Sequence, residues 1–224
     1  SIRIVKKIAP EFGQNYITRF GFEAKRNPPL FSLALGAGAI TPLQLVAGYS
    51  SIANGGFYVE PYFIDRILDY SGNLVRRYEP LTAGNENYRI IDARHAYILD
   101  NMLSDVVDSG TARKAKVLER PDLAGKTGTT NDAVDAWFAG YQPAISAVTW
   151  FGYDNPKSLG EKQTGSGIAL PIWIDFMKEI LKRQPIVFKQ EPPGIIRIND
   201  GLFTSESLPN TANDSLDVKY LDFE

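Results

Sequence analysis

The chain has 224 residues, 44% of them hydrophobic, which is ordinary for a globular domain with its own core. Its 24 Lys and Arg residues are balanced by 26 Asp and Glu residues, and a net charge of -2 without a basic block argues against nucleic acid as a partner. Cysteine is absent and His95 is the only histidine, which excludes disulfides, cysteine metal sites and histidine metal clusters; no cofactor is expected.

Two helices are predicted near the start of the chain. One begins at Pro10. The other has Thr41 as its N-cap and Pro42 as its first helical residue, and Gly55-Gly56 follow its end. Between residues 56 and 78, aromatic and β-branched residues predict a small hairpin with its turn at Ser71-Gly72.

A third helix is predicted after Asp92, which is placed as its N-cap, and it ends at Ser109-Gly110. His95 lies in its first turn, where we interpret it as a surface residue rather than the base of a Ser-His-Asp triad. Apolar residues at steps of three and four predict one buried face. They are Ala96, Leu99, Leu103 and Val106.

The most informative segment is Lys126-Thr127-Gly128-Thr129-Thr130-Asn131. Its Gly-Lys-Thr resembles the end of a phosphate-binding loop, but Arg120 stands where that loop needs its first glycine. The β-branched threonines also disfavour the helix that should follow. The segment is therefore predicted to be a strand, whose isolated glycine marks a close approach of another backbone.

As an edge strand, this segment can bind a peptide substrate as an added strand and hold its terminal carboxylate. Thr127 and Thr129 point to the same face of a strand, so that two hydroxyls can converge on one carboxylate. Lys126 adds a positive charge, and the N–H of Thr129 can serve as an oxyanion donor, worth roughly 3 to 4 kcal/mol in acyl transfer.

Residues 134–141 and 145–153 predict a neighbouring antiparallel hairpin. A last helix is predicted from about Pro171, and we expect its apolar stripe to cover the sheet. That stripe consists of Trp173, Phe176, Met177, Ile180 and Leu181. From Gln184 the pattern dissolves, apart from one possible strand at 194–198 and a polar run at 204–217. The sequence contains no apolar run of about 18 residues and predicts neither a membrane span nor a signal peptide within it.

These stretches resemble the transpeptidase domain of class A penicillin-binding proteins, most closely the 1a type of Gram-negative bacteria. The Lys-Thr-Gly triplet is part of the signature of that superfamily, together with Ser-x-x-Lys and Ser-x-Asn. The other matching stretches are residues 35–56, Ser109-Gly110-Thr111-Ala112, 135–141, 151–154 and Pro171-Ile172-Trp173.

The resemblance covers roughly residues 1–183 and leaves residues 184–224 as a tail or a partial C-terminal module. It implies an α/β (α+β) fold, in which an antiparallel sheet is sandwiched between helices as in serine β-lactamases. By the same resemblance, the fold is incomplete in this chain.

In that family a serine attacks the bond between the two terminal D-alanines of a peptidoglycan stem peptide, and the acyl group passes to an amine of a second stem. β-Lactams acylate the same serine. By resemblance, Lys126 and Thr129 are catalytic: Lys126 orients the proton-relaying hydroxyl, and the N–H of Thr129 completes the oxyanion hole. Lys126, Thr127, Gly128, Thr129 and Thr130 form the substrate-binding strand, in which Thr127 and Thr129 bind the carboxylate.

The sequence departs from the family pattern in one decisive respect. No Ser-x-x-Lys occurs in it, so the nucleophilic serine and its general-base lysine are not in this chain, and the polypeptide alone is predicted to be inactive. Ser71-Gly72-Asn73 spells Ser-x-Asn, but it lies in the turn of the predicted hairpin and is interpreted as structural. The opening Ser1-Ile2-Arg3-Ile4-Val5 resembles the sequence that follows the family's second motif, so we expect the chain to begin just downstream of it.

The resemblance also implies a parent protein with a glycosyltransferase domain, located in the periplasm and anchored to the inner membrane by an N-terminal helix outside this chain. The expected partners are a stem peptide ending in D-Ala-D-Ala, β-lactam antibiotics and the remainder of the same polypeptide. Two alternatives stay open. One is a D,D-carboxypeptidase or β-lactamase-type hydrolase, and the other is a non-catalytic penicillin-recognising sensor or interaction module.

Overall fold

The computed structural model describes residues 1–208 of the chain. Its α-helices are α1 (Ile2–Ile8), α2 (Pro10–Ile17), α3 (Pro42–Ala53), α4 (Ala93–Asp108) and α5 (Leu170–Ile180). Its strands are β1 (Arg66–Leu68), β2 (Leu74–Arg77), β3 (Ala124–Thr129), β4 (Ala136–Gln142), β5 (Ile145–Phe151), β6 (Ile195–Ile198) and β7 (Gly201–Thr204). Within residues 1–208, no helix has both the length and the apolar character needed to cross a membrane.

The predicted starts of α2, α3 and α4 are confirmed, and side-chain caps explain the starts of α3 and α4. The hydroxyl of Thr41 accepts the N–H of Gln44 at 3.1 Å, while the side chain of Gln44 accepts the N–H of Thr41 at 3.0 Å. This reciprocal pair satisfies two amides that the first turn of α3 leaves free. At the start of α4, the carboxylate of Asp92 accepts the N–H of Arg94 at 2.8 Å.

The central sheet is antiparallel, with the strand order β3-β4-β5. Its register places Lys126 opposite Ala139, Thr129 opposite Ala136, and Trp137 opposite Trp150. The predicted hairpin is confirmed as β4 and β5. Strand β3 lies at one edge, because no other strand of residues 1–208 pairs with its outer side.

Helices cover both faces of this sheet, which confirms the predicted sandwich. On one face, Tyr141 of β4 clusters with Ile52 and Ala53 of α3. On the other face, the Phe138 ring packs edge-on against Trp173 of α5 at a centroid distance of 4.9 Å. The Trp173 indole N–H also donates to the carbonyl oxygen of Ala147 in β5 at 3.1 Å, which fixes α5 on the sheet.

Two details of the predicted helix faces are corrected. In α5, Phe176 is 50% exposed, and the buried face contains Leu170 and Ile174 instead. Buried positions that step by three and four from Leu170 through Trp173 and Met177 leave Phe176 off the stripe. In α4, Val107 is fully buried and Val106 only partly, so the buried face lies slightly round the helix from its predicted position.

The hairpin β1-β2 is confirmed with shorter strands than predicted. Residues 56–65 contribute no strand to it, and Phe57 instead forms an isolated bridge with Arg89. Its turn is closed by the carboxylate of Asp69, which accepts the backbone N–H groups of Ser71 and Asn73, both at 2.8 Å. Such a carboxylate-closed turn is the structural role expected for Ser71-Gly72-Asn73.

Residues 184–192, called the strap below, run alongside α4. The ammonium of Lys189 pairs with the carboxylate of Asp100 in α4 and lies 4.8 Å from the ring centroid of Tyr141. The strap leads to the hairpin β6-β7, of which only β6 was predicted. The domain boundary after residue 183 stays a prediction, and residues 209–217 of the predicted polar run lie outside the described residues.

Candidate functional site

The backbone of β3 presents alternate residues to its free edge. In an antiparallel pair, every second residue directs both its N–H and its C=O towards the partner strand. The N–H of Thr130 donates to the carbonyl oxygen of Asp135 at 3.1 Å, so the even-numbered residues of β3 face β4. The N–H and C=O groups of Thr127 and Thr129 therefore point away from the sheet, where an added strand would pair with them.

The side chain of Lys126 is exposed and lies at this free edge. Its ammonium donates to the carbonyl oxygen of Thr127 at 2.7 Å. The lysine thus covers an outward-facing acceptor of the strand. Its charge stays close to the outward N–H of Thr129.

The two predicted carboxylate-binding threonines do share one face of β3, and each hydroxyl has a partner within the chain. The hydroxyl oxygens of Thr127 and Thr111 lie 2.7 Å apart. The hydroxyl of Thr129 accepts the N–H of Gly165 at 3.0 Å, which leaves its own hydrogen available to a ligand. The threonines are therefore fixed by neighbouring segments that follow α4 and precede α5.

The predicted close approach of a backbone at Gly128 comes from the same chain. A Cβ built on Gly165 would lie 2.5 Å from the carbonyl oxygen of Gly128 and 2.4 Å from that of Trp137. Only glycine fits at position 165, because the turn before α5 lies directly on the β3-β4 pair. A Cβ on Gly128 itself would meet the Cβ of Trp137 at 3.3 Å, on the other face.

Thr130 has a local structural contact. Its hydroxyl accepts the N–H of Asp135 at 2.7 Å and so closes the turn between β3 and β4. Asp132 and Ala133 in this turn have φ angles of 57° and 49°, which are unusual for residues other than glycine. The role of Thr130 in substrate binding stays a prediction.

A buried ion pair precedes β3. Arg120 and Asp122 meet at 2.7 Å, with side chains 10% and 0% exposed. Burial alone would raise the pKa of the Asp122 carboxyl, but hydrogen bonds from Arg120, the N–H of Val187 and Gln142 outweigh burial and hold this pKa below its ordinary value. The strand is thus held at its start by charge and at its end by neutral hydroxyls.

The remaining sequence candidates lie apart from β3. His95 is exposed in the first turn of α4, as predicted, and neither it nor Ser71 nor Asn73 makes a side-chain hydrogen bond to β3 within residues 1–208. A cleft of about 240 Å³ lies between α3, α4 and the strap. Within residues 1–208, no group of three or more His, Cys, Asp and Glu side chains could hold a metal.

Sequence reasoning assigned no role to Thr111 or Gly165, although both contact the threonines of β3. Thr111 belongs to the matching stretch Ser109-Gly110-Thr111-Ala112, which was a usable signal. Gly165 belongs to Gly165-Ser166-Gly167, where two glycines around one serine precede a helix. Paired glycines before a helix could have indicated a tightly packed turn.

An antiparallel sheet sandwiched between helices is the fold class of penicillin-binding transpeptidases, and comparison with known proteins agrees. The family described as penicillin binding protein transpeptidase domain matches residues 2–178. The chain therefore belongs to the penicillin-binding protein transpeptidase family.

Within this family, the similarity is to penicillin-binding protein 1A of Gram-negative bacteria. The protein of that name from Neisseria lactamica is 44% identical over 208 residues, covering 93% of this chain and 26% of the relative. The one from Pseudomonas aeruginosa is 37% identical over 252 residues, covering 92% of this chain and 31% of the relative. The crystal structure of penicillin-binding protein 1A from Haemophilus influenzae has a TM-score of 0.82 at 29% identity, covering 87% of this chain and 34% of that one. The chain thus spans about a quarter to a third of the length of these relatives.

Proposed function

We propose that the protein carrying this sequence is a peptidoglycan D,D-transpeptidase and that β3 forms one wall of its active site. The observation that carries this proposal is the free edge of β3, where the backbone groups of Thr127 and Thr129 face outward beside the ammonium of Lys126. A peptide ending in a carboxylate is the ligand that such an edge suits, because it offers both strand hydrogen bonds and a negative charge.

In the proposed reaction, a serine outside the printed sequence attacks the carbonyl carbon between the two terminal D-alanines of a stem peptide. The serine oxygen forms a bond to that carbon, the C–N bond breaks, and D-alanine leaves after taking a proton on its nitrogen. An amine of a second stem then attacks the ester and releases the serine. The outward N–H of Thr129 is proposed as one donor to the oxyanion formed in each step.

Lys126 and the threonines are proposed to position the substrate. The carboxylate of the terminal D-alanine would accept hydrogen bonds from the hydroxyls of Thr127 and Thr129. Lys126 supplies the neighbouring positive charge, and we assign to it the orientation of the proton-relaying hydroxyl. Gly128 and Thr130 complete the strand that the peptide lies along.

β-Lactams are proposed as inhibitors that acylate the same serine. Related folds support this proposal: PonA1 from Mycobacterium tuberculosis was solved in complex with penicillin V, and penicillin-binding protein A of that organism as an imipenem acyl-enzyme complex. These two are 20% and 19% identical to this chain, so the likeness is one of fold. A glycosyltransferase domain, an inner-membrane anchor and a periplasmic location of the whole protein are proposed on the similarity to the 1A type.

The test is covalent labelling of the full-length protein with a fluorescent penicillin. Wild-type protein is expected to be acylated, and Lys126→Ala should react more than about tenfold more slowly, because it removes a charge beside the reacting centre. Lys178→Ala, a change at an exposed lysine of α5, is the matched control and should react at the wild-type rate.

Three results would contradict the proposal. Absence of labelling in the full-length protein would favour the non-catalytic sensor. Rapid loss of the label would favour a hydrolase, since the transpeptidase should keep its penicilloyl ester. Stoichiometric labelling of the isolated 224-residue polypeptide, which has no Ser-x-x-Lys, would refute the assignment of the nucleophile to sequence outside it.

A further inference from the structure

Thr111 provides a third hydroxyl at the free edge of β3. It lies three residues after the end of α4, between Gly110 and the fully buried Ala112. The N–H of Ala112 donates to the carbonyl oxygen of Val106 at 3.0 Å, and the Ala115 side chain is also fully buried. This anchoring fixes the backbone on both sides of Thr111, while Thr111 itself is exposed.

The contact between Thr111 and Thr127 is short and exclusive among the described residues. Their hydroxyl oxygens lie 2.7 Å apart, and within residues 1–208 neither hydroxyl makes another hydrogen bond. A hydroxyl has one hydrogen to donate and two lone pairs to accept with. If Thr111 donates to Thr127, the hydrogen of Thr127 is free to point at a ligand.

Thr129 is supported in the same way by a different segment. Its hydroxyl accepts the N–H of Gly165, so it too retains a hydrogen for a ligand. The ammonium of Lys114, three residues after Thr111, donates to the carbonyl oxygen of Ser166 at 3.3 Å and links the two supporting segments. Within residues 1–208, no carboxylate makes a hydrogen bond or ion pair with the side chains of Thr111, Thr127, Thr129, Lys114 or Lys126. Hydroxyl donors beside two ammonium groups suit an anionic ligand.

We propose that Thr111 is a positioning residue of the transpeptidase site, which donates its hydrogen to Thr127 so that Thr127 donates to the carboxylate of the substrate. This inference rests on the proposed function and adds a residue to it. Thr111 acts through Thr127, so its removal should weaken recognition of the carboxylate specifically. A residue that merely supported the fold would affect every acylating compound alike.

The experiment compares acylation of the full-length protein by benzylpenicillin and by its methyl ester, which lacks the carboxylate charge. Thr111→Val keeps the shape and removes the hydroxyl, whereas Thr111→Ser keeps the hydroxyl. The valine variant should react with benzylpenicillin about five- to tenfold more slowly, as expected for one lost hydrogen bond of about 1 to 1.5 kcal/mol. Its rate with the methyl ester should change less than about twofold, and the serine variant should keep the wild-type ratio of the two rates.

An equal loss with both compounds, or no loss with either, would overturn the assignment of Thr111 while leaving the proposed function intact. A wild-type protein that is not acylated at all would overturn the proposed function and this inference with it. Thermal unfolding midpoints of both variants establish that the fold is preserved. Should the valine variant fail to fold, Thr111→Ala provides the same comparison.

Discussion

The two halves of strand β3 differ in what holds them. Leu123, just before the strand, and Ala124 belong to the hydrophobic core, and Gly125 is also buried; all three lie among α4, β4 and the residues after α4. Lys126 and Thr129 are exposed, and the polar contacts of this second half come from hydroxyls and backbone groups. The first half of β3, residues 124–125, is therefore a rigidly packed base, and the second half, residues 126–129, is an open half. The base allows the open half to keep its geometry without a hydrophobic core of its own.

The ion pair before β3 strengthens this base and connects it to the strap. The carboxylate of Asp122 accepts the N–H of Val187 at 2.9 Å, and the guanidinium of Arg120 donates to the carbonyl oxygens of Gln184 and Pro185 at 2.7 and 2.8 Å. The strap is thus bound at the point where β3 begins.

The largest effect is expected from Asp122→Ala. This change leaves the buried guanidinium of Arg120 without its counter-charge, and breaking such a pair costs about 3 to 5 kcal/mol in the free energy of unfolding. Chemical denaturation of the transpeptidase domain in the full-length protein measures the loss. Asp175→Ala, at an exposed acid of α5, is the control and should change the stability by less than about 0.5 kcal/mol. A loss below about 1 kcal/mol for Asp122→Ala would show that the base does not depend on this pair.

The second prediction contrasts two glycines of the same strand. A Cβ on Gly125 would lie 2.7 Å from the Phe138 ring and 2.8 Å from the carbonyl oxygen of Ala139, whereas a Cβ on Gly128 would meet only Trp137, at 3.3 Å for the nearest atom. Gly125→Ala should therefore lower the free energy of unfolding by about 1 to 3 kcal/mol. Gly128→Ala should cost less, since Trp137 has to yield by only a few tenths of an ångström.

The same denaturation measurements check this contrast, with Gly13→Ala in α2 as the control. Its added methyl group would have only one neighbour, Leu33, at 3.8 Å, and alanine favours a helix over glycine by about 0.5 to 1 kcal/mol. Equal losses for Gly125→Ala and Gly128→Ala would remove the distinction between the packed and the open half.

Local features of the fold could be predicted from the sequence because their causes are local. The caps of α3 and α4 and the β4-β5 hairpin depend on residues a few positions apart, such as Thr41 and Gln44. The Lys-Thr-Gly strand followed from its β-branched threonines and from the absence of a helical continuation, whereas its edge position was a hypothesis that the strand order confirms within residues 1–208. The family resemblance supplied the roles of the site residues, which stay predictions.

Contacts between distant parts of the chain could not be predicted. Asp122 and Val187 are separated by 65 residues and Thr129 and Gly165 by 36, and no periodicity links such positions. Phe176 was misplaced because a helical stripe read from sequence alone has an uncertain centre. The sequence also showed no pattern after Gln184, because Arg120 holds the strap through backbone carbonyl oxygens. Every residue has such an oxygen, so these contacts leave no signal in the sequence.

The third prediction concerns how the stability contributed by Asp122 depends on pH. The pKa of Asp122 in the folded protein lies below its ordinary value of 3.8, so its contribution to stability is present above the pKa of the unfolded chain and is lost as the pH falls through the folded pKa. The difference in unfolding free energy between wild type and Asp122→Asn should stay constant from about pH 7 to pH 5 and shrink below about pH 4. Denaturation curves at several pH values measure it. A difference that grows on acidification would mean that the folded protein raises this pKa.

The smallest effect on stability is expected at Lys126, where the effect on the proposed chemistry is large. Its side chain is exposed, and the hydrogen bond from its ammonium to the carbonyl oxygen of Thr127 can be replaced by one from water. Lys126→Ala should therefore change the free energy of unfolding by less than about 0.5 kcal/mol, while acylation by penicillin falls more than tenfold. Denaturation and labelling of the same preparation separate the two quantities. If the variant were destabilised by as much as Gly125→Ala, the open half of β3 would be part of the structural base, and a slower acylation could no longer be attributed to the missing charge.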